Sequence, residues 1–295
     1  MKIRDLRTVA FSTPLADRVF LQITTDDGVT GWGEATLEAN GKITETAVLE
    51  LRPYIIGLDP TRVEMIWQSI YRTFWGRRSG AIFMSALSGI EQALWDITGK
   101  AYGVPVYKLF GGPTRERVRA YTHAMGRTPE ELVQSALELS KAGFTAVKFL
   151  SHPDGKHDWD ENIDELKEVV ARVKAVREAV GEKMDLMVDC HGRYTPSFAI
   201  KVGKSLEEFN LLFLEEPVSP ENVSSIKRVA SSVNIPIAAG ERRYTRYDFT
   251  EICRRGAIDV IQPDPSHAGG ISEVRKIASM AEAYDISLAP HNVGI

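Results

Sequence analysis

The sequence contains 295 residues, of which 43% are hydrophobic and 26% are charged, as expected for an ordinary globular protein. Its formal net charge of −4 gives no electrostatic reason to expect nucleic acid or an anionic membrane as a partner. The two cysteines, Cys190 and Cys253, form neither a disulfide framework nor a zinc-binding spacing, so we expect a cytoplasmic protein.

The first part of the chain has the pattern of an α+β domain. It starts directly in strand-like sequence, and we predict neither a signal peptide nor a membrane span. Residues 2–36 are predicted to form antiparallel strands, since residues 18–24 alternate in polarity and Asp26-Asp27-Gly28 supplies a turn. Predicted helices follow at residues 44–51, 60–74 and 82–102, which together indicate an N-terminal domain over residues 1–114.

From about residue 117 the pattern changes to strands that alternate with amphipathic helices. Seven strands are predicted, at residues 118–123, 146–150, 184–189, 212–215, 236–241, 258–264 and 286–291. This alternation predicts an α/β architecture, a TIM-like (β/α) barrel over residues 115–295. An eight-stranded barrel requires one more helix and strand, so we expect the last strand to be absent from this chain.

Three successive strands of this predicted barrel end on an acidic residue. Asp189, Glu215 and Glu241 follow one another at intervals of 26 residues, and one helix fits each interval. The carboxyl ends of parallel strands converge on one face of a barrel, where three unpaired carboxylates would repel one another. Because carboxylate oxygens are hard ligands, we predict a Mg²⁺ site, with Mn²⁺ or Ca²⁺ as alternatives. His191 lies two residues after Asp189, so we expect its side chain to point the same way.

A set of short motifs runs through the whole chain. They are Gly31-Trp32-Gly33-Glu34, Ala93-Leu94-Trp95-Asp96, Leu109-Phe110-Gly111-Gly112, Asp189-Cys190-His191-Gly192-Arg193, Leu214-Glu215-Glu216-Pro217, Gly240-Glu241-Arg242, Gln262-Pro263-Asp264 and Ala289-Pro290-His291-Asn292. Their combination resembles the mandelate racemase-like group of the enolase superfamily, and within it the acid-sugar dehydratases such as the D-galactonate dehydratases. The resemblance implies a capping domain over a modified (β/α) barrel, an essential Mg²⁺, abstraction of the proton alpha to a carboxylate, and a homo-oligomer.

The resemblance also implies that Asp189, Glu215 and Glu241 are the metal ligands. Of the adjacent acids Glu215 and Glu216, the family pattern assigns the first. By strand alternation Glu216 faces away from its neighbour, and we expect it to form a salt bridge.

Two histidines are candidates for the proton transfers of such a reaction. His291 is the predicted general base, because Asp264 could hydrogen-bond its other nitrogen and fix the tautomer. His191 is the predicted general acid for a departing hydroxide at C3, and the alternative is a histidine that only braces Asp189. His267, near the sixth strand end, ranks below both as a ligand contact.

Three cationic residues are candidate substrate ligands. Lys148 either contacts the substrate carboxylate or is a solvated lysine at a strand end. Arg193 and Arg242 follow acidic strand ends and would bind substrate hydroxyls or hold metal ligands by bidentate pairing. Arg77 and Arg78 lie in a loop that the resemblance places near the far end of the substrate.

These roles favour Mg²⁺-dependent dehydration of a sugar acid, an aldonate or an aldarate, to a 2-keto-3-deoxy acid through an enediolate. The chain is thus predicted to be a carbon–oxygen lyase that acts on a small sugar acid. A racemase, epimerase or cycloisomerase on the same scaffold is the first alternative. Leu150 weakens it, because racemases and cycloisomerases of the group often carry a second, basic lysine there. The other alternative is a non-catalytic homologue or fragment, suggested by the missing strand.

Overall fold

The structure is a computed structural model that describes residues 1–13, 17–73, 80–153 and 160–292. Its N-terminal elements are β1 (Ile3–Ser12), β2 (Asp17–Thr25), β3 (Thr30–Glu34), α1 (Gly41–Leu51), α2 (Val63–Thr73), α3 (Ala81–Tyr102) and α4 (Val106–Leu109). The strands form an antiparallel sheet of order β1-β2-β3. The sheet packs with α1, α2 and α3 around one hydrophobic core, as predicted for an α+β unit.

Close packing of β3 on α3 explains the two glycines of the Gly31-Trp32-Gly33 motif. A Cβ atom at Gly31 would lie 2.2 Å from the carbonyl oxygen of Ala93, and one at Gly33 would lie 1.9 Å from that of Gly89. Only glycine allows two backbones to approach so closely. The glycines therefore fix the distance between the sheet and the long helix.

The second part of the chain forms a parallel sheet wrapped by helices. Its elements are β4 (Thr122–His123), α5 (Pro129–Lys141), β5 (Ala146–Leu150), α6 (Ile163–Val180), β6 (Asp185–Asp189), α7 (Pro196–Leu206), β7 (Phe213–Glu215), α8 (Val223–Ala230), β8 (Ile237–Ala239), α9 (Thr245–Arg254), β9 (Val260–Ile261), α10 (Ile271–Glu282) and β10 (Ser287–Leu288). Short 3₁₀ turns occupy Arg52–Tyr54, Gly181–Lys183 and Glu207–Phe209. The strands pair in chain order and all pairs are parallel, which confirms the predicted strand–helix repeat.

The two outermost strands of this curled sheet are shorter than predicted. The first was expected over residues 118–123 and comprises Thr122–His123, and the last was expected over residues 286–291 and comprises Ser287–Leu288. Each has a single strand neighbour, so fewer backbone groups can pair. A cavity of about 580 Å³, lined in part by Tyr121 and Phe213, lies between these two edges.

Side-chain alternation places polar groups inside the curled sheet. In β5, Val147 and Phe149 face the helices and join the large outer core, while Ala146 joins a small inner cluster. Lys148 shares the inward direction of Ala146. Asp189 and Glu215 follow the inward-facing Met187 and Phe213 by two residues, and so they point inward as well.

The N-terminal helices hold the segment that leads from β9 into α10. Trp67 Nε1 donates a hydrogen bond to the carbonyl oxygen of Gly269 at 2.8 Å, and Gly269 N donates to Ser88 Oγ at 2.9 Å. Glu91 accepts hydrogen bonds from the backbone nitrogens of Ile271 and Ser272 at 2.8 and 2.9 Å. These buried contacts join the two parts of the chain; the boundary at residue 114 stays a prediction.

Candidate active site

Three carboxylates meet at the carboxyl ends of β6, β7 and β8. Asp189 and Glu215 are the last residues of neighbouring strands and pair in register, and Glu241 lies two residues beyond β8. One oxygen from each carboxylate lies within 4.8 Å of the others. Asp189 and Glu215 are fully buried. The spacing of 26 residues therefore does bring these side chains together.

Lys148 lies against two of these carboxylates. Its Nζ atom is 2.5 Å from Glu215 Oε1 and 3.1 Å from Asp189 Oδ2, and the residue is 1% exposed. Of the two alternatives for Lys148, the solvated lysine at a strand end is therefore wrong, because Lys148 is in the middle of β5 on its inward face. Burial alone would lower the pKa of Lys148, but the charges of Glu215 and Asp189 raise it well above its usual value.

The carboxylate group is electrostatically suited to a divalent cation. Burial, and then the negative charge of Asp189, raise the pKa of Glu215 to about 8. Asp189 Oδ2 is buried, and no described residue gives it a hydrogen bond of good geometry. Gln262 Nε2 holds the other oxygen of Glu215 at 2.8 Å. Oxygen ligands that are buried, oriented and incompletely neutralised fit Mg²⁺, whose site would consist of Asp189, Glu215 and Glu241.

His191 lies beside the three carboxylates, but a turn positions it rather than the alternation of side chains along a strand. The strand ends at Asp189, and His191 occupies a turn with a φ angle of 48°. Its backbone nitrogen donates to Asp189 Oδ1 at 2.9 Å, and its Nε2 atom lies 3.3 Å from Asp189 Oδ2. The interaction with Asp189 outweighs burial and raises the pKa of His191, so a protonated imidazole is favoured here.

His291 and Asp264 form the predicted pair on the other side of the carboxylates. His291 Nδ1 lies 2.8 Å from Asp264 Oδ2, and its Nε2 lies 3.3 Å from Glu241 Oε2. Asp264 is fully buried, and its other oxygen accepts a hydrogen bond from Ser266 N at 2.6 Å. Burial would lower the pKa of His291, but Asp264 and Glu241 outweigh it and raise the pKa.

Three of the remaining candidate residues, Arg193, Arg242 and His267, line the site cavity. Arg242 pairs with Glu216, which confirms the salt bridge expected for Glu216, and Arg242 Nε lies 3.9 Å from Glu241. The cavity has a volume of about 440 Å³ and is lined by Leu37, Glu38, His191, Arg193, Glu241, Arg242, Tyr244, His267 and His291. Arg77 and Arg78 lie outside the described residues.

Sequence reasoning missed several residues of this site. Leu37 and Glu38 follow β3 and cover the strand ends from the N-terminal part, and no local pattern marks them. Gln262, the partner of Glu215, could have been found, since it precedes Asp264 by two residues and shares its face. His267 was among the candidates, but its contact was not predicted: it is buried and bonds through Nε2 to the carbonyl oxygen of Thr36 at 2.9 Å, across 231 residues of chain.

Within the described ranges, no helix has the combination of length and hydropathy required to cross a lipid bilayer.

Comparison with known proteins assigns the chain to a family. Residues 3–111 match the mandelate racemase/muconate lactonizing enzyme N-terminal domain, and residues 131–295 match the enolase C-terminal domain-like family. The chain therefore belongs to the mandelate racemase/muconate lactonizing enzyme family of the enolase superfamily.

Several relatives have names that indicate a reaction. The chain is 45% identical over 274 residues to a D-galactonate dehydratase of Pectobacterium atrosepticum, covering 92% of this chain and 71% of that protein. It is 44% identical over 293 residues to a D-galactonate dehydratase of Variovorax paradoxus, covering 99% of this chain and 75% of that protein.

Solved structures share the fold over the full length of this chain. A putative dehydratase from Mesorhizobium loti matches with a TM-score of 0.95 and 37% identity, covering 100% of this chain and 80% of that one. The 3,6-anhydro-D-galactonate cycloisomerase from Zobellia galactanivorans matches with a TM-score of 0.90 and 32% identity, covering 100% of this chain and 81% of that one.

Proposed function

We propose that this chain catalyses the Mg²⁺-dependent dehydration of a sugar acid, an aldonate or an aldarate, to a 2-keto-3-deoxy acid. The observation that carries the proposal is the placement of His191 on one side of the carboxylate group and the His291–Asp264 pair on the other. D-Galactonate is the first candidate substrate, because relatives at 44–45% identity are named D-galactonate dehydratase.

Asp189, Glu215 and Glu241 are the residues that would hold the metal ion. Bound there, Mg²⁺ would act as a Lewis acid towards the substrate carboxylate and lower the energy of the doubly charged enediolate. Lys148 and Gln262 keep Glu215 in place from opposite sides, through its two carboxylate oxygens.

His291 is suited to take the proton from C2 of the substrate. Asp264 can only accept a hydrogen bond when ionised, so Nδ1 of His291 carries a hydrogen and Nε2 has the free lone pair. Nε2 points towards Glu241 and borders the cavity, as a base acting on substrate there must. Asp264 also stabilises the imidazolium that forms.

His191 is suited to give a proton to the leaving group. Its contact with Asp189 raises its pKa and so favours the protonated form, and it lies on the Asp189 side of the cavity. The C3 hydroxyl would leave as water after this proton transfer. The resulting enol then becomes the 2-keto-3-deoxy acid when C3 takes up a proton.

Lys148, Arg193 and Arg242 are proposed to bind the substrate. The buried ammonium group of Lys148 lies against Asp189 and Glu215, a position that suits contact with the substrate carboxylate. Arg193 and Arg242 line the cavity and carry donors for substrate hydroxyl groups. We also retain the prediction of a homo-oligomer.

A screen of aldonic and aldaric acids, beginning with D-galactonate, tests the proposal through formation of 2-keto acid with Mg²⁺ and with EDTA. Product is expected only with Mg²⁺. Asp189→Asn should lower the rate by about a thousandfold, since the metal supplies several kcal/mol of transition-state stabilisation. Glu178→Gln, at an exposed site on α6, is the matched control. Undiminished turnover in EDTA, or none with any acid, would contradict the proposal.

A cycloisomerase is the second candidate, favoured by the similarity to the Zobellia galactanivorans enzyme. Leu150 argues against a lysine base on β5 in this chain. Exchange of the C2 hydrogen with solvent, without formation of 2-keto acid, would distinguish this reaction from dehydration.

A further inference from the structure

A second group of ligand atoms lies next to the three carboxylates. Asp264, His267 and His291 each offer one donor atom, and these atoms lie within 4.8 Å of one another. Asp264 Oδ2 is 2.8 Å from His291 Nδ1 and 3.8 Å from His267 Nδ1. In a tetrahedral zinc site with bonds of about 2.0–2.1 Å, donor atoms are about 3.3 Å apart. These two distances lie on either side of that separation, and the donor atoms of the two histidines lie within 4.8 Å of each other.

The environment of His267 fixes which of its nitrogens can bind a metal. Nε2 faces the carbonyl oxygen of Thr36 at 2.9 Å, and a carbonyl oxygen can only accept. Nε2 therefore carries a hydrogen, and Nδ1 is the ring nitrogen that faces the carboxylate of Asp264, at 3.8 Å. A metal ion at Nδ1 would lie between this nitrogen and the carboxylate. Donation of the remote N–H to a backbone carbonyl is the usual arrangement of a histidine that binds a metal.

His291 can also bind a metal through Nδ1 and donate its other N–H to an acceptor, once its ring hydrogen has moved from Nδ1 to Nε2. Its Nε2 atom lies 3.3 Å from the carboxylate of Glu241 and could donate to it. With a metal at Nδ1, the ring hydrogen moves from Nδ1 to Nε2 and no proton is lost. Asp264 contributes Oδ2, while its other oxygen stays bonded to Ser266 N.

We propose that Asp264, His267 and His291 form a second metal site, beside the three carboxylates, for a borderline transition-metal ion such as Zn²⁺. Two imidazoles and one carboxylate suit Zn²⁺ or Co²⁺, whereas Mg²⁺ prefers the all-oxygen group of Asp189, Glu215 and Glu241. The consequence for catalysis rests on the proposed function. A metal at Nδ1 places the hydrogen on Nε2 of His291, the atom that must accept the C2 proton, so Zn²⁺ inhibits an enzyme that is saturated with Mg²⁺.

Zinc binding is tested with protein that has been stripped of metal and then saturated with Mg²⁺, by competition against a chromophoric zinc chelator. Wild type is expected to bind about one Zn²⁺ per chain. His267→Gln should bind at least about tenfold more weakly, because one of three protein ligands is lost. His123→Gln is the matched control, since His123 ends β4 but is not in the group. Equal affinity in wild type and His267→Gln would overturn the proposal.

Substitution of Co²⁺ for Zn²⁺ locates the ion without using any substrate. Visible absorption of bound Co²⁺ should be lost in His267→Gln and kept in Asp189→Asn. Absorption that is lost in Asp189→Asn but kept in His267→Gln would place the ion among the carboxylates and overturn the proposal. Circular dichroism of His267→Gln checks its fold. Because these readouts do not depend on turnover, failure of the zinc site and failure of the proposed reaction are distinguishable.

Discussion

The proposed proton chemistry depends on the side chains that orient two histidines. Asp264 fixes His291 through Nδ1, and Asp189 contacts both the backbone and the ring of His191. Each histidine thus has a carboxylate partner that orients its ring, and in both cases the partner raises the pKa of the imidazole.

The two histidines can be separated by measuring C2 hydrogen exchange and water loss independently. His291→Asn should reduce both by at least about a hundredfold, because no other base takes the C2 proton. His191→Asn should reduce water loss more than exchange, because abstraction precedes departure of the hydroxyl. Normal turnover by both variants would show that these residues do not carry the proposed roles.

His152 gives a prediction about stability rather than catalysis. It is 2% exposed, and burial, followed by the positive charges of Arg193 and His191, lowers its pKa from 6.5 to about 4. Between these values the unfolded chain binds a proton that the native ring does not, so the stability due to His152 is present above pH 6.5 and declines as the pH falls to about 4.

The contribution of His152 is at most about 1.4 kcal/mol per pH unit. His152→Gln should therefore show a flatter decline in the free energy of unfolding between these pH values, measured by urea denaturation. A decline as steep as that of wild type would show that His152 does not titrate in this way.

At the scale of elements, the start of α10 is held by a side chain from another helix. Glu91, on α3, accepts hydrogen bonds from Ile271 N, Ser272 N and Trp95 Nε1. A carboxylate at a helix N-terminus satisfies free N–H groups and interacts favourably with the helix dipole. Gly270 has a φ angle of 91°, and a Cβ atom there would lie 2.1 Å from Glu91, so the contact also requires glycine.

Glu91→Ala should lower the free energy of unfolding by about 3 kcal/mol, since it leaves buried donors unpaired and creates a cavity. Urea denaturation measures this change. Glu178→Ala, which removes an exposed glutamate from α6, is the matched control and should change stability by less than about 0.5 kcal/mol. A loss in Glu91→Ala no larger than in the control would contradict this account.

The sequence predicts those elements best whose structure depends on local pattern. Helix α3 and strand β5 lie within one residue of their predicted ranges, because an apolar stripe and a β-rich run mark them. The outer strands β4 and β10 were predicted too long, because pairing depends on neighbours that the local sequence does not show.

The candidate site also has features that the local sequence predicts and features that depend on distant parts of the chain. The spacing of Asp189, Glu215 and Glu241 and the pair His291–Asp264 could be predicted, since strand ends in a parallel sheet meet on one face. The local sequence does not determine the burial of Lys148, because a lysine near a strand end has the same local pattern whether it is solvated or inward-facing. Contacts such as that of His267 with Thr36 arise only when distant parts of the chain pack together.

For the whole molecule, the metal is expected to add stability as well as reactivity. The three carboxylates are brought together only in the folded chain, so the proposed Mg²⁺ would bind the native state preferentially. At a concentration about 100 times its Kd, the ion should stabilise the protein by about 2.7 kcal/mol. Thermal unfolding should therefore shift upward with Mg²⁺ in wild type but not in Asp189→Asn. An equal shift in both would indicate that the ion binds elsewhere.

The most direct test of the proposed function is to follow D-galactonate by nuclear magnetic resonance in D₂O with Mg²⁺ and the intact chain. Dehydration predicts loss of the C2 hydrogen together with formation of a 2-keto-3-deoxy acid that carries one deuterium at C3, taken up as the enol becomes the ketone. Deuterium at C2 of an acid that retains all its hydroxyl groups, without keto acid, would instead indicate an epimerase or cycloisomerase. That result, or an unchanged spectrum across the panel of sugar acids, would contradict the assignment as a dehydratase.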